Sequence, residues 1–420
     1  LSPVTGSICC RLPSRRILDA GRIARASAAP LRSTPIDSFD ARSPAARWLL
    51  AALCACGLGA HAYGQLPNEP LMSETLPRST PHWVWVNDMA FPYMADGKAF
   101  LLDGDDGRML GMLSTGYGFN GVIVPRAGDV IYSPETYLAR GGRGTRTDVL
   151  AIYDAQLRPI AEVALPPKRA SIMPMINASV LTDDERFLLL YNFTPAQSVS
   201  VVDMTSRSFV GELDTAGCAL VYPTGPRTFF SICGDGSLLE VRIDDTGHGL
   251  KSTHSATMFD VIRDPVSEKG VRAGSAWLFV SFNGIVYPIE SSASGARPGS
   301  KWPLVNPAEQ ALNWRSGGLQ HLALHRTSGR LYAVMHRGDA ASHKEPGTDI
   351  WVYDIASHRK VQQIAARNKV ASITVSQDAH PLLFTSFMGS NVIDIYDALT
   401  GQYLRSVSEL GLTPTTMVSP

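Results

Sequence analysis

The chain has 420 residues, 45% of them hydrophobic and 18% charged, which is enough apolar sequence for a sizeable core. Its 38 Lys and Arg balance 38 Asp and Glu, and the absence of a basic stripe excludes a nucleic-acid-binding footprint. No apolar run after the N-terminal region is long enough to cross a membrane as a helix.

The first residue is Leu, and residues 1–41 are rich in Arg, Ser and Ala without hydrophobic periodicity. They read as extra leader, or as sequence upstream of the true start. Arg42 and Arg47 then precede an apolar run from Trp48 to Ala60, which ends in the small-x-small triplet Ala60-His61-Ala62. Basic flank, short apolar core and cleavage triplet together predict a secretory signal peptide cut near Ala62, and a periplasmic mature chain. A lipobox ending at Cys56 is the rival reading, but Cys54 stands where a small or branched residue is wanted. The expected organisation is a leader over 1–62, an N-terminal arm over 63–82 and one domain over 83–420. Cleavage removes Cys9, Cys10, Cys54 and Cys56 and leaves Cys218 with Cys233, an even pair suited to an oxidising compartment.

From Trp83 one unit recurs: an apolar strand, an acidic residue, a short polar turn and another strand. The markers are Asp103, Asp154, Asp203, Asp244, Glu290, Asp354 and Asp397, spaced by 51, 49, 41, 46, 64 and 43 residues. Asp244 and Glu290 are weak markers by themselves. The long interval holds insertions at Pro303 to Ser316 and Arg337 to Thr348. A period in this range with several short strands per unit predicts an all-β, seven-bladed β-propeller. Each acidic residue would end the third strand of its blade and shape the turn to the fourth, without a catalytic role. Trp83-Val84-Trp85-Val86 would pair with the C-terminal blade and close the ring, removing exposed edges.

Within the first repeat, Gly116-Tyr117-Gly118-Phe119-Asn120-Gly121 has three glycines in six residues, a loop able to approach another surface closely. Further on, two β-branched and aromatic runs flank Pro223-Thr224-Gly225-Pro226 and predict an antiparallel hairpin. Folding at that turn brings Cys218 opposite Cys233, within reach of a disulfide that would constrain the unfolded chain by about 3 kcal/mol. Two buried free thiols are the alternative. The best helical signal is Pro307 to Asn313. His321 and His325 have a spacing seen in metal sites, but Leu322-Ala323-Leu324 between them reads as strand, which separates them by about 13 Å and predicts no metal there. His336, Arg337, Asp339, His343, Lys344 and Glu345 form a charged loop that reads as a solvated insertion. There is no phosphate-binding glycine loop and no Gly-x-Ser-x-Gly elbow. An exported propeller without catalytic chemistry points to a scaffold defined by what it binds. It would be the large subunit of a periplasmic enzyme, a free-standing binding propeller, or a propeller hydrolase with a metal in its channel.

The chain resembles the large (heavy) subunit of the quinoprotein amine dehydrogenases from about Trp83 to its C-terminus. The likeness is carried by the cystine hairpin with Thr228-Phe229-Phe230 and Gly236-Ser237-Leu238, by Ala139 to Val149 and by Asn313 to Gly318. Leu324 to Tyr332 and Thr374 to Asp378 carry it further. Leu165-Pro166-Pro167-Lys168-Arg169, Ile232 to Gly236 and Phe119-Asn120-Gly121 are closer to the aromatic amine branch. Val375 to Asp378 with Leu382-Leu383 is closer to the methylamine branch. The aromatic branch is favoured, and the amine stays open.

The resemblance implies a non-catalytic large subunit in an α2β2 heterotetramer. No cofactor would reside in this chain; tryptophan tryptophylquinone would be carried by a small, disulfide-dense partner subunit. That partner would deaminate primary amines to aldehyde and ammonia and pass electrons to a blue copper protein such as azurin or amicyanin. Phe119 matches the family's loop residue that lines the passage to the quinone. Tyr117, in the adjoining Tyr117-Gly118 insertion, is the alternative occupant, and packing of Phe119 inside its own blade is the other possibility. A free-standing periplasmic propeller without the quinone subunit is the alternative for the whole chain.

Overall fold

The computed structural model describes residues 74–119, 121–172, 174–292 and 295–419. The predicted leader, signal peptide and most of the N-terminal arm lie outside the described residues, as does Asn120. The regular structure of the described residues is nearly all strand, in six hydrogen-bonded sheets. The largest sheet has seven strands in two antiparallel runs, joined by the single parallel pair Gly116 with Thr136. Its first run places Pro414–Val418 beside Trp83–Asp88, then Gly97–Asp103, then Met109–Gly116. Its second run holds Val130–Leu138, Arg146–Asp154 and Pro159–Leu165, with Ile123 bridging Tyr132 on the inner side. The remaining sheets follow in chain order over residues 179–214, 218–254, 271–303, 314–370 and 372–407.

First strands meet first strands from one sheet to the next. Ser179–Leu181 touches Cys218–Pro223, and Val271–Ala273 touches Leu322–His325. Ser372–Val375 touches both Leu322–His325 and Pro414–Val418. The architecture is a β-propeller. Closure uses the predicted partners with a different division of labour: the C-terminal strand leaves the last sheet and becomes the first strand of the Trp83–Asp88 run.

Burial grades outward through each sheet. Trp83–Asp88, Phe187–Asn192 and Leu382–Ser386 are buried at every position, because sheets pack on both of their faces. Pro159–Leu165 is largely exposed except where it alternates inward, and Gly249–His254 is exposed throughout. Between sheets the filling is aromatic. The Tyr222 ring lies 5.0 Å from Phe230, 5.2 Å from Trp277 and 5.1 Å from Phe279. Their polar tips are satisfied, since Tyr222 Oη donates to Glu268 O at 2.5 Å and Trp277 Nε1 to Pro223 O at 2.8 Å. Each such ring contributes about 1.5–3 kcal/mol by burial.

The acidic markers are turn formers. The carboxylates of Asp103, Asp154, Asp203 and Asp244 accept the backbone N–H two residues on, at 2.8–2.9 Å. Asp354 and Asp397 accept from the third residue on, at 2.8 and 2.7 Å. Glu290 differs: it lies inside Ile285–Ser292 and pairs with Arg297 at 2.9 Å. The predicted helix is present over Pro307–Ala311, started by a capping box in which Asn306 Oδ1 accepts Glu309 N and Glu309 Oε2 accepts Asn306 N.

Candidate functional site

The loop after Met109–Gly116 is clasped by backbone on three sides. Tyr117 N donates to Thr136 O at 2.6 Å, Gly118 N to Met94 O at 2.7 Å and Phe119 N to Ser171 O at 2.8 Å. Gly118 has a φ of +87°, and a Cβ there would stand 1.9 Å from Ser171 O. The glycines therefore serve close approach, as their density suggests, but the surface approached is the chain's own Ser171 segment. Phe119 is buried, at 5% exposure, and Tyr117 is half-buried.

Phe119 lines a cavity of about 120 Å3 among the inner strands, together with Asn87, Arg169, Met175, Gln320 and Met417. The lining brings together residues from five separate stretches of sequence. Its polar members are a guanidinium, two amides and the hydroxyls of Ser179 and Thr416. Carboxylate and imidazole groups, which a channel metal would need, do not line it among the described residues. Asn87 Nδ2 donates to Thr416 O at 3.2 Å and Gln320 Nε2 to Met417 O at 2.9 Å, so both amides are committed to the C-terminal strand.

Arg169 is the charged group at this cavity. Its Nη2 donates to Thr136 Oγ1 at 2.8 Å, and its backbone N–H to Asp148 Oδ2 at 3.1 Å. Burial pushes its guanidinium down to about 10, against the attraction of Asp148. Asp148 also holds Arg146 through Nε at 2.8 Å and Nη2 at 2.6 Å, and Thr136 Oγ1 at 2.9 Å. Behind it, Glu135 accepts from Tyr137 Oη at 2.5 Å and Tyr153 Oη at 3.2 Å. Burial raises the Glu135 carboxyl above its ordinary value, although those hydroxyls oppose the shift. Sequence reading noted Arg169 and Asp148 only as parts of a likeness and missed Glu135. The local signals are the Arg146–Asp148 and Tyr137–Glu135 pairs, each two residues apart on one strand face.

Cys218 and Cys233 face each other across the hairpin and are joined by a disulfide, with Cα atoms 3.8 Å apart. The hairpin departs from ideal register at Leu220, where φ is +63° and Ser231 Oγ donates to Leu220 O at 2.6 Å. His321 and His325 are both buried but lie in different surroundings. His325 is held by Ser328 Oγ at 2.7 Å and Asp378 O at 2.9 Å. His321 sits near Lys269, His336 and His343, and burial drives its imidazole far below the usual range. The charged loop is less solvated than expected: His336 Nε2 meets Ser342 Oγ at 2.8 Å, and His343 stacks on Phe282 with ring centroids 4.0 Å apart.

Large apolar side chains are exposed around the Phe119 loop: Phe91 at 51%, Tyr93 at 77%, Ile172 at 64% and Leu412 at 58%. The loops bearing them are tied together. Phe91 N donates to Thr413 Oγ1 at 2.9 Å, and Met94 O and Ser171 O receive the Phe119 loop as described. Grouped exposure of this kind marks an interaction face.

The family model described as methylamine dehydrogenase heavy chain matches residues 81–419. A methylamine dehydrogenase heavy chain from Paracoccus versutus is 31% identical over 349 residues, covering 83% of this chain and 81% of the relative. Another, from Methylorubrum extorquens, is 30% identical over 330 residues, covering 77% of this chain and 79% of the relative. One from Methylophilus methylotrophus is 27% identical over 362 residues, covering 85% and 88%. Among solved structures, a functionally unknown protein from Desulfotomaculum acetoxidans superposes with a TM-score of 0.56 at 10% identity, covering 80% of this chain and 98% of that one. A putative 6-phosphogluconolactonase from Bacteroides fragilis does so with a TM-score of 0.51 at 11% identity, covering 82% and 99%. At such identities these two speak to fold alone.

Proposed function

Since the chain belongs to the methylamine dehydrogenase heavy chain family, we propose that it is the large, non-catalytic subunit of a periplasmic dehydrogenase of primary amines. The observation that carries the reading is a family match running from residue 81 to 419, the whole of the closed ring. Counting the two antiparallel runs of the seven-stranded sheet separately supports seven blades, the number the repeat predicts.

The residues of this chain do not fit the quinone cofactor that the family implies. Trp314 and Trp351 approach with ring centroids 4.9 Å apart, but Trp351 is 1% exposed and the Lys360 ammonium covers its ring at 3.5 Å. Trp351 is thus closed to an amine, although Trp314 is partly exposed. In the proposed assembly tryptophan tryptophylquinone is therefore the small subunit's, and no chemical step is assigned to this chain. What this chain contributes is a face and a wall. Phe91, Tyr93, Ile172 and Leu412 offer apolar area for the small subunit to cover. Phe119 borders the passage from that face to the reacting centre, with Tyr117 beside it. An aromatic wall sorts amine tails by size without moving a proton. The partner assembly is α2β2, and a blue copper protein takes the electrons.

The test is coexpression with the short, cysteine-dense reading frame expected beside this one. Copurification as a heterotetramer that reduces an artificial acceptor when given methylamine or benzylamine supports the reading. A chain that purifies from its source alone, with no amine-dependent dye reduction in the same extract, overturns it in favour of a free-standing propeller.

A further inference from the structure

The hairpin disulfide has an unexpected neighbour. His254 ends Gly249–His254, the exposed outermost strand of the same sheet, and pairs in register with Leu239. That register carries its ring back over the Cys233 end of the hairpin. His254 Nδ1 lies 3.9 Å from Cys233 Sγ and 3.5 Å from Ser237 Oγ. Among the described residues, Cys218, Cys233 and His254 place one ligand atom each within 4.8 Å of one another.

Two sulfurs and an imidazole nitrogen are the donor set of a zinc-type cation. Tetrahedral bonds of about 2.3 Å to sulfur and 2.0 Å to nitrogen set the two donor atoms about 3.5 Å apart. The observed 3.9 Å between His254 and Cys233 needs a small adjustment of the exposed imidazole, and the two sulfurs, once unbonded, must part to about 3.8 Å. The sulfurs, being bonded to each other, have no thiolate to offer until that bond is opened. The surroundings leave a route to it, because Ala216, Gly217, Gly234 and Asp235 flank the buried cysteines and are all exposed. Asp235 supplies local negative charge: its Oδ1 accepts from Ser237 N at 2.9 Å and Ser237 Oγ at 2.7 Å, next to the His254 ring.

We propose that Cys218, Cys233 and His254 form a redox-gated site for a divalent transition metal of the zinc class, closed by the disulfide and opened by a dithiol reductant. In the opening step the reductant's two thiols exchange with the cystine. The protein S–S bond breaks, the protein gains two thiols, and the reductant leaves as its own disulfide. Metal then takes two thiolates, with their two protons released to solvent, and the lone pair of neutral His254 Nδ1. The exposed side keeps the fourth position for water. The site does not depend on the amine-oxidising role and uses no residue assigned to it.

The test titrates cobalt(II) into the full mature chain, oxidised and then reduced with dithiothreitol that is removed anaerobically. The expected result is one cobalt per reduced chain, with a thiolate-to-cobalt charge-transfer band that zinc abolishes, and none in the oxidised chain. His254→Ala should weaken cobalt binding at least tenfold, since even loss of an outer partner of a ligand costs about that much. Near-UV circular dichroism follows the fold throughout. Equal binding by oxidised chain, unchanged affinity in H254A, or a folded reduced chain that binds nothing overturns the site. So does a chain that unfolds on reduction and does not recover its near-UV signal with zinc.

Discussion

Phe119 shows how one residue can be visible in sequence while its surroundings are not. Its glycine-rich loop was legible because close approach demands glycine locally. What it approaches, Ser171, lies in a different sheet connection and left no trace beside it. Truncating Phe119 to Ala enlarges a cavity of about 120 Å3 and should cost the chain about 3 kcal/mol. In the assembled enzyme it should change the ratio of kcat/KM for benzylamine to that for methylamine while leaving quinone formation intact. If Tyr117→Ala moves the ratio and Phe119→Ala does not, the wall is Tyr117; if neither does, this loop leaves the site. A second residue-scale prediction concerns His82, which ties the first and last sheets through Asp105 Oδ1 at 2.6 Å and Asp378 Oδ2 at 3.2 Å. Burial pulls its imidazole down, but the Asp105 hydrogen bond and the two carboxylate charges outweigh it, and the net shift is upward from 6.5. A raised folded value means the stabilisation is complete below about 6.5 and fades as pH climbs through the folded value. Asp105 is 60% exposed, so solvent screening holds the effect to about 0.5–1 kcal/mol. His82→Gln should flatten that part of the melting-temperature profile between pH 6 and 9; a mutant profile parallel to wild type would rule the seam out.

At the scale of elements, the hairpin, the turn-forming aspartates and the short helix were all written locally. Proline and glycine fixed the turn, carboxylates met N–H groups two or three residues away, and Asn306 with Glu309 capped a helix within four residues. The Arg169, Asp148 and Glu135 network was barely legible: beyond the Arg146–Asp148 and Tyr137–Glu135 pairs two residues apart, its partners come from 12 to 33 residues away, and no pattern distinguishes a buried ion pair from an exposed one. The disulfide closes a separation of 15 residues. Replacing Cys218 and Cys233 together by Ser should therefore cost about 3 kcal/mol at most and leave the propeller folded. Urea unfolding with far-UV circular dichroism measures this. Collapse of the β signal in water would mean that the hairpin nucleates the ring and does more than brace it.

The whole molecule depends on where its two ends meet. Pro414–Val418 pairs with Trp83–Asp88 at only three Cα positions and with a register shift, a thin ladder for the strand that closes the ring. Side chains make up the difference from three sheets. Asn87 donates to Thr416 O at 3.2 Å, and Thr415 Oγ1 donates back to Asn87 O at 2.9 Å. Ser386 Oγ donates to Thr415 O at 3.1 Å. Gln320, 97 residues away, engages both backbone groups of Met417 at 2.8 and 2.9 Å. Sequence periodicity foresaw closure because an open ring would expose edges, but it could not name these amides, whose partners are set only once the ring exists. Removing the Gln320 side chain strands two backbone groups of a buried residue and should cost about 2 kcal/mol as Gln320→Ala. Asn87→Ala should cost a similar amount. Because both hold the same strand, losing one frees that strand to loosen and leaves less for the second mutation to remove. The double mutant should then fall short of the sum by about 1 kcal/mol. Chevron or equilibrium urea data on the two single mutants and the double mutant decide it. Additivity within error would show that the two amides act on separate parts of the ring, and closure would then rest on the short ladder and on sheet packing alone.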